Sequence, residues 1–467
     1  MKHNGVTREA AHFVAALSFA DIPAECIRLA KRCIIDGLGV MLAGSSEPCA
    51  QVCRKYALSV GGRAQSSTIG DGSQKLPINH AALVNGTAGH ALDWDDTALS
   101  NAKDRSVLIH PTMQPLAAGL SVSECHGNDG KDFLTAFITG YEVQCKIAES
   151  IDPSHFSQGR GFHTSNTIGI FGATATAAKL LGLNEEQTRN ALGIAVSMSS
   201  GVGVNHGTMG KPLQMGRAAE NGITAAQLAF FGMDSHPEAF EGPRGFFFCF
   251  GGGYEPENIV GKFGKPYSII DPGVSIKPYP CGVVGHPGMD AMRTLVKTHD
   301  VKPEDVKKVR VRTGINVLPP GPLRYGVARS ALEGKFSVPF QMASMIVNRK
   351  AGIKEFTDEF VRSKAVQDMM QRIEATVDPE IEALGKSKIV FKIEVELNKG
   401  EILTQESEEF YRGGPKNPLT NEELIDKFRD ASQNVINGSE SAAACEFIES
   451  LDEAESLHGL ISLVAKS

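Results

Sequence analysis

The sequence predicts a mainly α protein, with a large all-helical domain built from both chain ends and a smaller α+β domain inserted between them. Three observations predict it. Apolar and small residues recur at helical spacing up to about residue 270, with no strand-like alternation on the way. Two later stretches, KKVRVRTGI (307–315) and KIVFKIEVEL (388–397), alternate apolar and polar residues as half-exposed strands do. Helical texture then returns at PLTNEELIDKFRD. The expected boundaries are 1–271 for the first helical part, 272–406 for the α+β domain and 407–467 for the C-terminal helical part.

The elements follow in order. In AECIRLAKRCIIDGLGVMLAG an apolar stripe runs through Ile27, Leu29, Ala30, Cys33, Ile34 and Leu38, with Pro23 at the helix start and Asp21 as its expected cap. Helices are expected at 133–151, at 167–183 (TIGIFGATATAAKLLGL) and at 216–233 (GRAAENGITAAQLAFFGM), the last two rich in Gly and Ala. Asn184 to Gln187 reads as a capping box opening another helix, and so does Thr420 to Glu423. Asn398-Lys399-Gly400 predicts a hairpin turn into EILTQE.

Composition narrows the function. At ~150 residues per domain, 467 residues suggest two or three domains. Lys+Arg 47 against Asp+Glu 54 leaves a net charge of −7, with no basic field for a phosphate backbone, so nucleic acid is not an expected partner. No run reaches ~18 apolar residues, so no membrane span is expected. The nine cysteines show no CxxC and no paired metal-ligand spacing, which disfavours zinc and iron–sulfur sites and suits a reducing compartment, the cytoplasm. Neither a dinucleotide fingerprint nor a phosphate-loop lysine appears, so no cofactor is expected. The 49 glycines exceed the usual ~7% by about half, which suits closely packed helices or backbone that approaches a ligand.

Four polar clusters carry candidate chemistry. HALDWDDTALSNAKDRSVLIHPT (90–112) holds Asp93, Asp95, Asp96, Thr97, His110 and Thr112, and three carboxylates within four residues repel one another unless the surroundings separate them. GRGFHTSNT (159–167) sets Arg160 and His163 among glycines before a helix. NHGTMGKPLQMGRAAENG (205–222) offers Lys211 for a substrate carboxylate, with Arg217 following about one helical turn later. SIKPYPCGVVGHPGMDA (275–291) holds Lys277, Cys281 and His286 on a stiff Gly/Pro-rich backbone, with Cys281 a weak candidate nucleophile. A neutral histidine or carboxylate could take a proton from carbon, a second could protonate a leaving group, and lysines suit a small anionic substrate.

At these clusters the chain resembles the MmgE/PrpD family almost end to end. The segments that carry the resemblance are HALDWDDT, His110-Pro111, GFHTSNTIGIFGATATAAKLLGL, GTMGKPLQMGRAAENG, IKPYPCGVVGHPGMDA and EGKFSVPF (333–340). The resemblance implies a helical domain with an inserted lid domain, a site between the two, a homodimer and no metal. It implies His163 and His110 as proton-transfer groups, Asp93 as the carboxylate that orients a histidine, Lys211 and Lys277 as holders of substrate carboxylates, and Thr97 as a hydrogen-bond donor. The implied activity is that of a cofactor-independent, 2-methylcitrate dehydratase-like hydro-lyase on a small di- or tricarboxylate. Alternatives are a cis-aconitate decarboxylase-like carboxy-lyase, an epimerase of an amino-dicarboxylate such as iminodisuccinate, and a non-catalytic carboxylate-binding protein. Three features differ from the decarboxylase pattern: the stretch ALSNAKDRSVLI lengthens the loop before His110, Pro280-Cys281-Gly282 lacks a histidine, and no tyrosine stands near Leu318-Pro319.

Overall fold

In the computed structural model, which describes residues 5–99, 108–156, 160–385 and 388–466, helix accounts for 57% of the chain and strand for 10%. The protein is therefore mainly α. Packing divides it into two units, one formed by residues up to Ser275 together with Asn421 onward, the other by Ile276–Thr420.

The first unit is built on helices that are buried on every side. Ala24–Gly44 has no exposed face between Arg32 and Leu42, where Arg32 and Asp36 are buried along with the apolar side chains. Pro23 precedes it, where a missing N–H costs nothing. Asp21 does not cap it. A short turn, Phe19–Asp21, and Pro23 intervene, and Asp21 accepts instead from Ser18 N and Oγ at 3.2 and 2.5 Å. The Asn184 capping box opens Glu185–Met198 as expected, with Gln187 N donating to Asn184 Oδ1 at 2.9 Å. The 167–183 helix starts instead as a separate turn, Thr164–Thr167, followed by Gly169–Leu180. Two small antiparallel sheets lie within the stretch expected to hold no strands. They pair Ser66–Thr68 with Asp71–Leu76, and Ala98–Leu99 with Leu108–Ile109.

Glycine sets how closely these helices approach. Ile78–His90 crosses the long helix Gly210–Phe230 at Gly86 and Gly216. A Cβ on Gly216 would sit 2.1 Å from Leu83 O, and one on Gly86 would sit 2.9 Å from the Gly216 Cα. The two helices run antiparallel, since Asn79 Nδ2 donates to Thr224 Oγ1 at 3.0 Å near the far end. A second tight crossing joins Gly130–Ser150 to Gly169–Leu180, where a Cβ on Gly140 would meet Gly172 O at 2.4 Å.

The C-terminal segment belongs to this unit because it supplies buried partners. Lys427, on Asn421–Ser432, reaches Asp36 Oδ1 at 2.5 Å and donates to Trp94 O at 3.0 Å, with its ammonium over the indole. Gly70 N donates to Val464 O at 2.8 Å.

The second unit packs helices such as His286–Thr298 and Val338–Asn348 around a four-stranded sheet in the order Ile373–Val377, Val306–Thr313, Lys392–Leu397, Ile402–Glu406. The first pair is parallel and the others antiparallel. Both alternating stretches form strands here, and Gly400 (φ +87°) makes the hairpin turn. The segment after the last strand stays with this unit, since Ile276 N donates to Gly413 O at 2.9 Å and Arg412 Nε to Asp290 at 3.2 Å. Among the described residues no helix is long and apolar enough to cross a membrane.

The Gly86–Gly216 contact gives a direct test. Gly216→Ala places a methyl against backbone and should destabilise the protein by about 1–3 kcal/mol, read as a lowered Tm. Gly438→Ala, at an open helical position with nothing within 4 Å, should leave Tm unchanged or slightly raised.

Candidate functional site

Ile78–His90 ends where the acidic cluster begins. Asp93 N donates to His90 O at 3.2 Å, and Asp93 adopts φ +55°, a left-handed conformation that aspartate enters more readily than most side chains. The chain thus folds back over its own helix end, and the three carboxylates part company. Asp93 meets Lys211 from the first turn of Gly210–Phe230, with Nζ 2.8 Å from Oδ1. Asp95 turns inward to two imidazoles, His90 Nδ1 at 2.9 Å from both oxygens and His110 Nδ1 at 3.1 Å from Oδ2. Asp96 turns away and accepts from Thr112 Oγ1 at 2.6 Å.

The histidines arrive on separate elements. His110 follows the strand Leu108–Ile109, and its N–H donates to Ser165 Oγ at 3.0 Å. Its Nε2 lies 3.9 Å from Asp93 Oδ1. His163 stands just before the turn Thr164–Thr167, its N–H bonded to Gly201 O at 3.2 Å. Thr164 Oγ1 donates to Leu108 O and ties the two segments together. The rings form a row. His90 meets His110 edge-on at 4.6 Å, lies nearly parallel to His163 at 5.9 Å, and His163 meets His206 edge-on at 5.0 Å.

Burial and charge set the protonation states. Burial, with Lys211 and His110 nearby, pushes the His90 imidazole down to about 3 against the pull of Asp95, so it is neutral at physiological pH. Burial, with His90, the Lys211 ammonium, His206 and His110 close by, holds His163 well below the ordinary range. For Asp95, burial opposes ionisation, but the His110 and His90 imidazoles outweigh it and keep the carboxylate ionised. Burial pushes Asp96 up to about 8, with Asp36 and Asp95 adding to the effect against the Thr112 hydrogen bond, so it carries its proton at neutral pH.

Asp93, His110, His163 and Lys211 thus come together in the first unit. Thr97 is next to them in the chain, bridged through its backbone to Ser275 (N to O 2.9 Å, O to N 2.8 Å). Buried Thr97 Oγ1 and His163 Nδ1 have no protein partner among the described residues, as expected of atoms that face a ligand. Lys277 lies in the second unit, 2% exposed. Of the loop before His110, residues 100–107 lie outside the described residues.

Other candidates fall away from the cluster. Arg160 donates to Cys249 O at 2.7 Å on the exposed side, and Arg217 pairs with Glu220 at 2.5 Å. Cys281 is buried in the core of the second unit with Sγ 3.6 Å from Met289 Sδ, a packing thiol rather than a nucleophile. Sequence reasoning passed over His90 and the division of labour among the carboxylates. The available signal was a histidine at a helix end five residues before Asp95.

Ligand atoms of His90, Asp93, Asp95 and His110 lie within 4.8 Å of one another, close enough to surround a cation. Asp93 is paired there with the Lys211 ammonium, and Asp95 lies against the His90 and His110 imidazoles.

The MmgE/PrpD N-terminal domain matches residues 8–258, and the MmgE/PrpD C-terminal domain matches residues 279–453. Human cis-aconitate decarboxylase is 27% identical over 99% of this chain and 95% of its own length. The mouse protein of that name is 27% identical over 99% of this chain and 94% of its own. That of Aspergillus terreus is 26% identical over 99% and 96%. Matched in both its halves, the chain belongs to the MmgE/PrpD family.

Proposed function

We propose that this protein is a cofactor-independent lyase for a small di- or tricarboxylate, working by proton transfer at a carbon next to a carboxylate. One observation carries the reading: two buried imidazoles in different electrostatic settings flank a lysine–aspartate pair. His163 is neutral and can accept a proton from carbon. His110, backed by ionised Asp95, is suited to carry one to a leaving group. Lys211 supplies positive charge for a substrate carboxylate and for the charge that builds up as the proton leaves. Thr97 Oγ1 supplies a hydrogen bond.

A base and an acid acting together suit dehydration. His163 removes the proton, His110 protonates the departing hydroxyl, and water leaves as the double bond forms. A second reading is decarboxylation, favoured by the relatives named cis-aconitate decarboxylase. There the carbon–carbon bond breaks, carbon dioxide departs and His110 protonates the carbon left with the electron pair. Lys277 as a second carboxylate holder and the lid role of the second unit rest on the family resemblance alone. A homodimer is supported by exposed apolar side chains such as Tyr56, Val204, Met209 and Phe231. A cytoplasmic location is supported by the absence of disulfides among the nine cysteines.

Incubation with 2-methylcitrate, citrate, cis-aconitate and iminodisuccinate in deuterated water, read by NMR, separates the reactions. Water loss or addition is expected, carbon dioxide release supports the second reading, and deuterium exchange alone would mean an epimerase. His163→Ala and Lys211→Ala should each lower kcat/KM by at least about 10²-fold with an unchanged circular dichroism spectrum. Near-normal turnover in both would overturn the site. Exhaustive chelation should leave activity intact, whereas a loss restored by a divalent cation would turn the His/Asp cluster into a metal centre.

A further inference from the structure

We propose that His206 is a specificity-determining residue that holds a substrate carboxylate beyond the one that Lys211 engages. The rings run from the interior toward solvent: His90 is 1% exposed, His163 3%, and His206 is half-buried. His206 meets His163 edge-on, with ring centres 5.0 Å apart and planes at 88°. Burial holds the proton affinity of His163 down, and His90, Lys211 and His206 add to the effect, so Lys211 and His206 both lie near this ring. Both come from residues 205–211, a segment that turns at left-handed Gly207 (φ +87°). Within it Thr208 N donates to Asn205 O and Lys211 N to Thr208 O, each at 3.1 Å. One short turn thus supplies two groups that suit an anion beside the base.

The loop that carries His206 is fixed to the segment that carries His163. Phe162 and Val202 form a β-bridge, His163 N donates to Gly201 O at 3.2 Å, and Gly203 N donates to Gly161 O at 2.7 Å. Gln214 Nε2 donates to Val202 O at 3.2 Å, and Asn166 Nδ2 donates to Ser200 O. Gly203 permits the close approach: a Cβ there would lie 3.2 Å from Gly161 O and 3.7 Å from His206 Cε1. The His206 ring is therefore held beside His163 and does not ride on a free linker. With carbon–carbon bonds of ~1.5 Å, a carboxylate one or two carbons from the atom that His163 deprotonates reaches a ring whose centre is 5.0 Å away. In either protonation state an imidazole carries an N–H donor, and its bond to a carboxylate is charge-assisted. Lys211, paired with Asp93 at 2.8 Å, engages one carboxylate and His206 another. A site that hydrogen-bonds a substrate group discriminates against the analogue that lacks it, so this one selects anions with carboxylates on two carbons.

This inference rests on the carboxylate-lyase reading, and binding measured apart from turnover keeps the two claims distinct. The probe is tricarballylate, a saturated tricarboxylate with no hydroxyl to lose and no double bond to hydrate. Its affinity is measured by calorimetry beside that of butyrate, which has one carboxylate. Wild-type protein should bind tricarballylate at least about 10-fold more tightly than butyrate. His206→Phe keeps a ring against His163 but removes the N–H. It should weaken tricarballylate by about 10–100-fold and change butyrate by less than about threefold. His206→Gln, which keeps a donor, should recover part of the loss. In wild-type protein labelled with 15N-histidine, the His206 resonances, assigned through His206→Gln, should shift when tricarballylate is added, a readout that does not need His206→Phe to fold. For any of 2-methylcitrate, citrate, cis-aconitate or iminodisuccinate that turns over, His206→Phe should raise KM by about the same 10–100-fold and leave kcat within about threefold. Unchanged tricarballylate affinity in folded His206→Phe, unmoved His206 resonances, equal wild-type affinity for the two probes, or a loss confined to kcat would each overturn the specificity role. Tight tricarballylate binding that depends on His206, with no turnover of any of the four acids, would overturn the lyase reading and leave the His206 contact standing. Wild-type protein that binds neither probe would overturn both.

Discussion

The close crossing of Ile78–His90 and Gly210–Phe230 at Gly86 and Gly216 is the constraint on which the site depends. Helices bearing larger side chains at both positions would stand farther apart, since a Cβ on Gly216 already overlaps a carbonyl at 2.1 Å. Because the helices run antiparallel, the end of one and the start of the other emerge side by side about one turn beyond the contact. His90 terminates the first and Lys211 opens the second. The turn through Asp93 then has only to fold back, which its left-handed conformation achieves, for aspartate and lysine to meet at 2.8 Å. The excess of glycine in the sequence is thus converted into short distances between charged groups.

Those distances create an electrostatic problem that neighbouring residues resolve. Three aspartates within four residues would repel if all faced one space. They are instead distributed: one paired with a lysine, one shared by two imidazoles, one held as a neutral acid on a threonine. Lys427 steadies the same turn from behind through the Trp94 carbonyl and Asp36. This explains why the last helices return to the first unit: the C-terminal segment carries a buried charge that the site loop needs.

Much of the architecture is legible in the sequence because it follows from periodicity. The alternation in KKVRVRTGI and KIVFKIEVEL, the Asn184 capping box and the Gly400 turn all rest on local chemistry, and each appears where that chemistry puts it. What was not legible depends on tertiary contact or on short length. Ser66–Thr68 is a buried three-residue strand and Asp71–Leu76 a largely polar one, so neither shows alternation. The long helix begins at Gly210 rather than 216 because Pro212 is tolerated in a first turn, although Gly-Lys-Pro reads as loop. At the site, the family resemblance singled out Asp93, His110, His163 and Lys211, but nothing in HALDWDDT says which aspartate faces which partner. That is decided by where the chain turns after the helix.

The same distribution of charge bears on why the substrate should be a polyanion. At rest His163 is surrounded by His90, His110, His206 and Lys211, and burial and positive charge together suppress its affinity for a proton. A base so suppressed is a poor one, yet deprotonating carbon requires a competent base. A neutral ligand would leave that penalty in place and add further desolvation. On the function proposed above, a di- or tricarboxylate would bring its negative charges beside Lys211 and cancel part of the repulsion, and each unit by which His163 recovers corresponds to about 1.4 kcal/mol. The anion that is to react thereby raises the proton affinity of the group that attacks it. On that reading the acid–base pair reaches working strength only when the substrate's carboxylates lie beside Lys211.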